Sequence, residues 1–266
     1  MAFARLETAL LERQQSGYFR RRQCIDYEKD NIIGVDGAHY LNFASNDYLG
    51  MRQHPGVLQA WAEGLAHYGA GSGASPLITG YSRAHLELES YLADKLNREA
   101  VLLFNAGFAA NQAVCQALLT SADTVLCDKL MHASFLDGAM GTQATLRRFR
   151  HNDMQHLSSL LTRDHKGDTL IASEGIFSMD GDAAPLQPLV EQAKAADAWL
   201  MLDDAHAFGV TGASGLGSVQ AHDLSQDDVP VLMATFGKAV GTAGAFIAGS
   251  QALIDYLVNH ARDYIY

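Results

Sequence analysis

Three short stretches carry residues that could do chemistry together: Asp203-Asp204-Ala205-His206, Phe236-Gly237-Lys238 and Asn105-Ala106-Gly107-Phe108. A lysine condenses with an aldehyde only as the free amine, so Lys238 would need a partly desolvated place. A carboxylate such as Asp203 beside a pyridine nitrogen keeps that nitrogen protonated and makes the ring an electron sink. His206 adds an imidazole three residues on, and Gly107 at a helix start lets a phosphate approach backbone N–H groups. Amine, acid, imidazole and phosphate cradle together are the parts of a pyridoxal 5'-phosphate site. Taken singly, each residue reads as ordinary: a capping Asp, a structural His, a surface Lys. It is their order, each just after an apolar run, that points to chemistry.

The elements that must position them follow from the apolar pattern. Runs at Ala100–Phe104, Thr124–Asp128, Leu146–Phe149, Thr169–Ser173, Trp199–Asp203, Val231–Thr235 and Ala245–Ala248 read as strands. Helical patterns at 107–119, 133–140, 153–162, 186–196 and from 250 separate most of them. Short β-rich runs separated by helices need crossovers, which predicts an α/β fold: a mostly parallel sheet with helices on both faces. Ligands in such sheets gather beyond the carboxyl ends of the strands, where the three stretches lie. Upstream, residues 3–15 read as an amphipathic helix closed by Gly17. Asp36-Gly37 between Asn31–Val35 and His39–Phe43 signals a hairpin. Helical patterns at 55–67 and 82–97 flank a Gly-rich stretch, 69–80.

Composition narrows the classes. A net charge of −11 gives no general support to nucleic-acid binding. The 3 cysteines, Cys24, Cys115 and Cys127, lack the C-x-x-C spacing of a zinc cage and are too few and too odd for a disulfide framework. No apolar run is long enough for a membrane helix. A cytoplasmic setting, without membrane or metal, is the expectation. The glycines at 69–73 follow a helix rather than a strand, which removes the context of a dinucleotide fingerprint. A Gly-x-Ser-x-Gly elbow, a Walker loop and a His-Glu-x-x-His motif are absent, and His151 with His156 reads as a polar helix start.

The stretches FASNDYLG (43–50), FNAGFAANQAV (104–114), DKLMHASFLDG (128–138), SEGIFSMDGDAAPL (173–186), DDAHAFGVTGASGLG (203–217) and TFGKAVG (235–241) carry a further signal. Together they resemble the α-oxoamine synthases, fold-type I pyridoxal phosphate enzymes that condense an amino acid with an acyl thioester. The resemblance runs from about residue 18 to the last residue. The short N-terminus, Arg20-Arg21-Arg22 and GAGSGASPLITGYSRAHLELE (69–89) are most similar to members that serve biotin synthesis. Those join L-alanine to a pimeloyl thioester of coenzyme A or an acyl carrier protein.

The resemblance implies roles. Lys238 would carry the cofactor and take the α-proton, Asp203 would pair with the pyridinium nitrogen, and His206 would bond the ring's phenolic oxygen. His132 would stack on the ring and help place substrate. Gly107 and Phe108 would offer amides near the phosphate, Ser178 and Thr235 hydroxyls near the cofactor. Arg20, with Arg21 and Arg22 beside it, would meet the acyl thioester, while Glu174 and Asn46 match positions close to the site. Ala207-Phe208 are bulkier than relatives often show and would reshape the pocket. The implied assembly is a homodimer. The implied organisation is a helix-and-hairpin segment over 1–45 and a cofactor-binding major domain over 46–266. A C-terminal domain that relatives carry beyond this point is missing, so the chain is expected to be a portion of a longer protein. Left open beside this reading are a sibling synthase using glycine or serine and a non-catalytic pyridoxal phosphate-binding paralogue.

Overall fold

The fold is seen in a computed structural model that describes residues 2–163 and 166–266. The chain divides into two compact units, up to Ser45 and from Asn46 onward. The first holds helix α1 (Arg5–Gln15) and the strands β1 (Tyr27–Lys29), β2 (Ile32–Val35) and β3 (Ala38–Leu41). α1 begins two residues later than its apolar pattern, buries none of its residues and is followed by Gly17 at φ 75°. β2 and β3 pair antiparallel with Val35 opposite Ala38. Asp36 and Gly37 both take positive φ, 49° and 78°, the left-handed pair that a two-residue hairpin turn requires. β1, which the sequence pattern does not signal, adds to the free edge of β2.

The second unit is a seven-stranded sheet between two helical layers. It opens with α2 (Pro55–Tyr68) and α3 (Arg83–Leu96), then alternates. The order is β4 (Ala100–Phe104), α4 (Gly107–Leu118), β5 (Thr124–Asp128), α5 (Ala133–Met140), β6 (Thr145–Phe149), α6 (Met154–Leu161) and β7 (Thr169–Glu174). It continues with α7 (Leu186–Ala195), β8 (Trp199–Asp203), α8 (Ser218–Ala221), β9 (Val231–Thr235), β10 (Ala245–Gly249) and α9 (Gln251–His260). The spatial order is β4-β10-β9-β8-β7-β5-β6. Every residue of β5, β7, β9 and β10 is buried, as strands covered on both faces must be. One apolar core joins the sheet to α3, α6 and α7 through Leu92, Leu157 and Leu189; the other joins it to α4, α5 and α9 through Ala110, Phe135 and Leu253.

One strand breaks the parallel rule. β10 runs antiparallel to both β9 and β4. The link from β9 to β10 is short and folds back on itself, with Phe236 N–H donating to Gly244 O and Thr242 N–H to Phe236 O, each at 2.9 Å. A link without a helix cannot cross over, so the strand must reverse. This reversal holds Lys238 in a tight loop at the carboxyl end of β9. Phe208 is buried in the core, edge-on to Phe246 at 5.2 Å between centroids, and is absent from the lining of the small cavity described next.

Candidate active site

The carboxyl ends of β4, β5, β7, β8 and β9 surround a cavity of about 180 Å³. Lys238, Asp203, His206, His132, Thr235, Gly107 and Phe108 all line it. A larger hollow of about 1220 Å³, bounded by Tyr81, Phe208 and Tyr264 among others, contains none of these.

Asp203 is the last residue of β8 and only 4% exposed. Its two oxygens are pinned separately: the Ala205 N–H donates to Oδ1 at 3.1 Å and the Asn111 amide to Oδ2 at 2.8 Å. The same Asn111 amide donates to the Ser134 hydroxyl at 2.9 Å. That hydroxyl lies 2.7 Å from Nδ1 of His132, which also accepts from the Ser134 N–H and so caps α5. A continuous donor chain therefore runs from Asn111 in two directions, to the carboxylate of Asp203 and to the ring of His132. The Asn111 oxygen is buried and has no partner among the described residues.

On the other side, His206 stands between two groups. Its Nε2 lies 2.7 Å from Lys238 Nζ and its Nδ1 2.6 Å from the Tyr48 hydroxyl, which Asn46 Oδ1 approaches at 3.4 Å. Burial, the Lys238 charge and His132 push the His206 imidazole down to about 4. A neutral ring carries one N–H, so it can pass a proton between phenol and amine. Burial also pulls the Lys238 amine below its ordinary value, although Asp203 and Glu174 oppose this. The shift favours the uncharged, nucleophilic form.

Glu174, which ends β7 and is 2% exposed, completes the wall. Burial and the Asp203 charge push its carboxyl up to about 8, while Lys238 and the backbone N–H groups of Ser178 and His132 pull the other way. The next residue must be glycine, because a Cβ on Gly175 would collide with Asp204 Oδ1 and Ser218 Oγ. The chain can thus turn away from the sheet directly after Glu174.

Two residues are absent from the cavity lining. Ser178 has an exposed side chain and does not line the cavity; its turn folds back through Gly181 N–H donating to Phe177 O at 2.9 Å, so its amide rather than its hydroxyl faces the site. Arg20 is exposed in the first unit, between α1 and β1. Thr235 does line the cavity, but its hydroxyl donates to Gly244 O at 2.8 Å and accepts from Gly237 N–H at 3.2 Å, which leaves a lone pair to offer. Sequence reasoning missed Asn111, Ser134 and Tyr48 as individuals. Asn111 had a usable signal: it lies four residues after Gly107 on α4 and must share its face.

The donor set fits pyridoxal phosphate. α4 begins at the cavity with no side-chain cap on its N-terminus, leaving first-turn N–H groups for an anion. An amine lowered by burial and a pinned carboxylate line the same cavity, and the buried Asn111 oxygen has no donor among the described residues.

Residues 38–266 match the model of aminotransferase class I and II. The chain belongs to that family. It is 49% identical over 261 residues to an 8-amino-7-oxononanoate synthase of Aeromonas hydrophila, covering 98% of this chain and 65% of that relative. Its backbone matches a serine palmitoyltransferase from S. paucimobilis with bound PLP and myriocin at a TM-score of 0.90. That likeness has 29% identity and covers 98% of this chain and 66% of that one. A crystal structure of 8-amino-7-oxononanoate synthase from Francisella tularensis matches at 0.74, with 30% identity over 84% of this chain and 62% of that one. The chain thus spans a little under two thirds of these family members. Among the described residues, no helix is long and apolar enough to cross a membrane.

Proposed function

We propose that this chain carries the pyridoxal phosphate chemistry of an 8-amino-7-oxononanoate synthase. The reaction joins L-alanine to a pimeloyl thioester of coenzyme A or a carrier protein, giving 8-amino-7-oxononanoate, CO2 and the free thiol, a step of biotin synthesis. The observation that carries it is the Lys238 amine, lowered by burial and 2.7 Å from the His206 ring, in the cavity that the pinned carboxylate of Asp203 also lines, in a chain 49% identical to such a synthase. When bound, pyridoxal phosphate supplies an electron-poor ring that disperses the electron pair left on the amino acid's α-carbon.

The residues divide the remaining work. Asp203 holds a negative charge where a ring N–H would face it, and Asn111 and Ala205 keep that carboxylate from turning away. The open N-terminus of α4 at Gly107 and Phe108 holds the phosphate, and Thr235 lines the wall near the cofactor. Lys238 Nζ accepts the α-proton of alanine, a role that a depressed amine pKa suits. His206 and Tyr48 stabilise or relay that proton, and His132 forms the face on which the ring and substrate stack. Arg20 meets the acyl thioester, and two copies of the protein form the working unit.

A second reading, a sibling synthase using serine and a longer acyl chain, has one observation in its favour: the higher backbone similarity to serine palmitoyltransferase. The sequence identities support the first reading instead. Release of CO2 from carboxyl-labelled alanine, glycine and serine, each with pimeloyl and palmitoyl thioesters, separates them. Alanine with the pimeloyl thioester is expected to give the fastest release; preference for serine with the palmitoyl thioester contradicts the assignment.

A further inference from the structure

Outside the cavity, a half-buried imidazole stands between two carboxylates, one of them fully buried. Asp128, at the end of β5, is 0% exposed. The His151 ring lies between it and Asp182, with Nδ1 at 3.0 Å from Asp128 Oδ1 and Nε2 at 2.8 Å from Asp182 Oδ2. A carboxylate only accepts, so both contacts are hydrogen bonds only when both ring nitrogens carry protons. Burial would lower the His151 pKa, but the hydrogen bonds to the two carboxylates outweigh it and raise it. Asn152, at a positive φ of 53°, completes the clamp. Its N–H donates to Asp128 Oδ2 at 2.8 Å and its side-chain amide to Asp182 Oδ2 at 2.9 Å. The Phe177 ring meets the imidazole edge-on at 4.5 Å between centroids.

Asp128 and Asp182 sit in different loops, which the His151 bridge joins. Asp128 Oδ1 accepts from the Leu130 N–H at 2.8 Å and Asp128 O from the Met131 N–H at 3.1 Å, a turn that delivers His132 to the cavity. Asp182 sits in the loop after β7, where its carbonyl accepts from the Phe177 N–H at 2.9 Å and so fixes the turn that delivers Ser178. His132 and Ser178 are the residues whose backbone N–H groups act on the Glu174 carboxyl.

We infer that His151 is a positioning residue: as an imidazolium bridging Asp128 and Asp182, it staples together the two loops whose amides hold Glu174 in the active-site wall. The staple touches neither substrate nor cofactor. It acts through Glu174 and through the placing of His132. This role rests on the cofactor-site reading above, but its test does not depend on cofactor binding.

The test is the titration of Glu174 in the cofactor-free full chain, followed by infrared difference spectroscopy, with the carboxyl band assigned by its loss in Glu174→Gln. The groups that face Glu174 are Asp203, Lys238 and the two amides, so a movement of the amides registers in its midpoint. Asp182→Ala gives opposite signs for the two accounts. Losing a nearby negative charge by itself lowers the midpoint, whereas releasing the Ser178 loop removes an amide and raises it. The inference expects a rise of about one pH unit, tenfold in proton affinity. Asp182→Asn, which keeps an oxygen for His151 and Asn152, is expected to restore the wild-type midpoint. His151→Gln is expected to raise the midpoint and to weaken pyridoxal phosphate binding by about tenfold. An unchanged or lowered midpoint in Asp182→Ala overturns the inference, even if the variant melts earlier. Failure of the wild-type chain to bind the cofactor counts instead against the proposed function.

Discussion

The two ends of the same sheet treat charge in opposite ways. At the amino ends of the strands, carboxylates are surrounded by donors. Burial would raise the Asp123 carboxyl, but the Thr120 amide and hydroxyl and the Asp168 amide bring it below its usual range. Asp228 likewise accepts from the Ser225 N–H at 2.7 Å and pairs with Lys194, and these partners outweigh burial and hold it down to about 2. At the carboxyl ends, Glu174 is pushed up to about 8, His206 down to about 4, and the Lys238 amine is lowered. Chain connectivity explains the difference. Turns entering β5 and β9 wrap their own backbone N–H groups around a carboxylate, whereas Glu174, His206 and Lys238, leaving β7, β8 and β9, project into a shared cavity and meet other side chains. Donor-rich turns make structure. Charged groups of both signs crowded in a dry cleft are poised to exchange protons.

That contrast can be broken at several points. The largest effect is expected from Asp203→Asn, which keeps the shape of the pinned side chain and removes its charge. Affinity for pyridoxal phosphate, measured by fluorescence titration, should fall roughly thirtyfold, or about 2 kcal/mol. The Glu174 midpoint should fall with it, since the Asp203 charge helps to raise it. Unchanged affinity would place the contrast elsewhere.

Next comes Glu174→Gln. A carboxyl raised in the folded state contributes its full stability below its ordinary pKa and loses it as pH rises through the folded value. The cofactor-free wild-type chain should therefore lose stability between about pH 4.5 and pH 8. The glutamine variant should lose less over that range, and at pH 9 it should be the more stable by on the order of 2 kcal/mol in urea unfolding. Parallel pH profiles for the two chains would show that the Glu174 carboxyl is not shifted on folding.

The smallest effect is expected at the opposite end. Asp228→Ala should cost less than about 1 kcal/mol at neutral pH, because the Lys194 partner is exposed. Here the sign is reversed: the contribution is present above the ordinary aspartate value and fades as pH falls toward about 2. Cofactor affinity should not change, and a clear loss would erase the distinction between the two ends.

Most of the architecture was legible because it rests on periodicity. The strand runs ending at Phe104, Asp128, Asp203 and Thr235 could be placed to the residue, since a strand buried on both faces must be apolar throughout. The reversal of β10 was not legible: it follows from hydrogen bonds within the 236–244 loop rather than from the composition of the strand. Lys238, Asp203 and His206 could be named because each follows a strand in a telling order. Tyr48 could not, since it reaches His206 from a distant, irregular part of the chain. Ser178 illustrates the limit of motif reading. Its side chain is exposed and outside the cavity lining, while its backbone N–H acts on Glu174.

The central claim is that the Lys238 amine is the group that takes up an aldehyde. Reduction of the chain with borohydride in the presence of pyridoxal phosphate, followed by peptide mass mapping, tests it most directly. The account predicts the phosphopyridoxyl mass on Lys238 and a Lys238→Ala chain that stays unlabelled at that stoichiometry. Label distributed over Lys129, Lys166 and Lys194, or retained in full by Lys238→Ala, would contradict it.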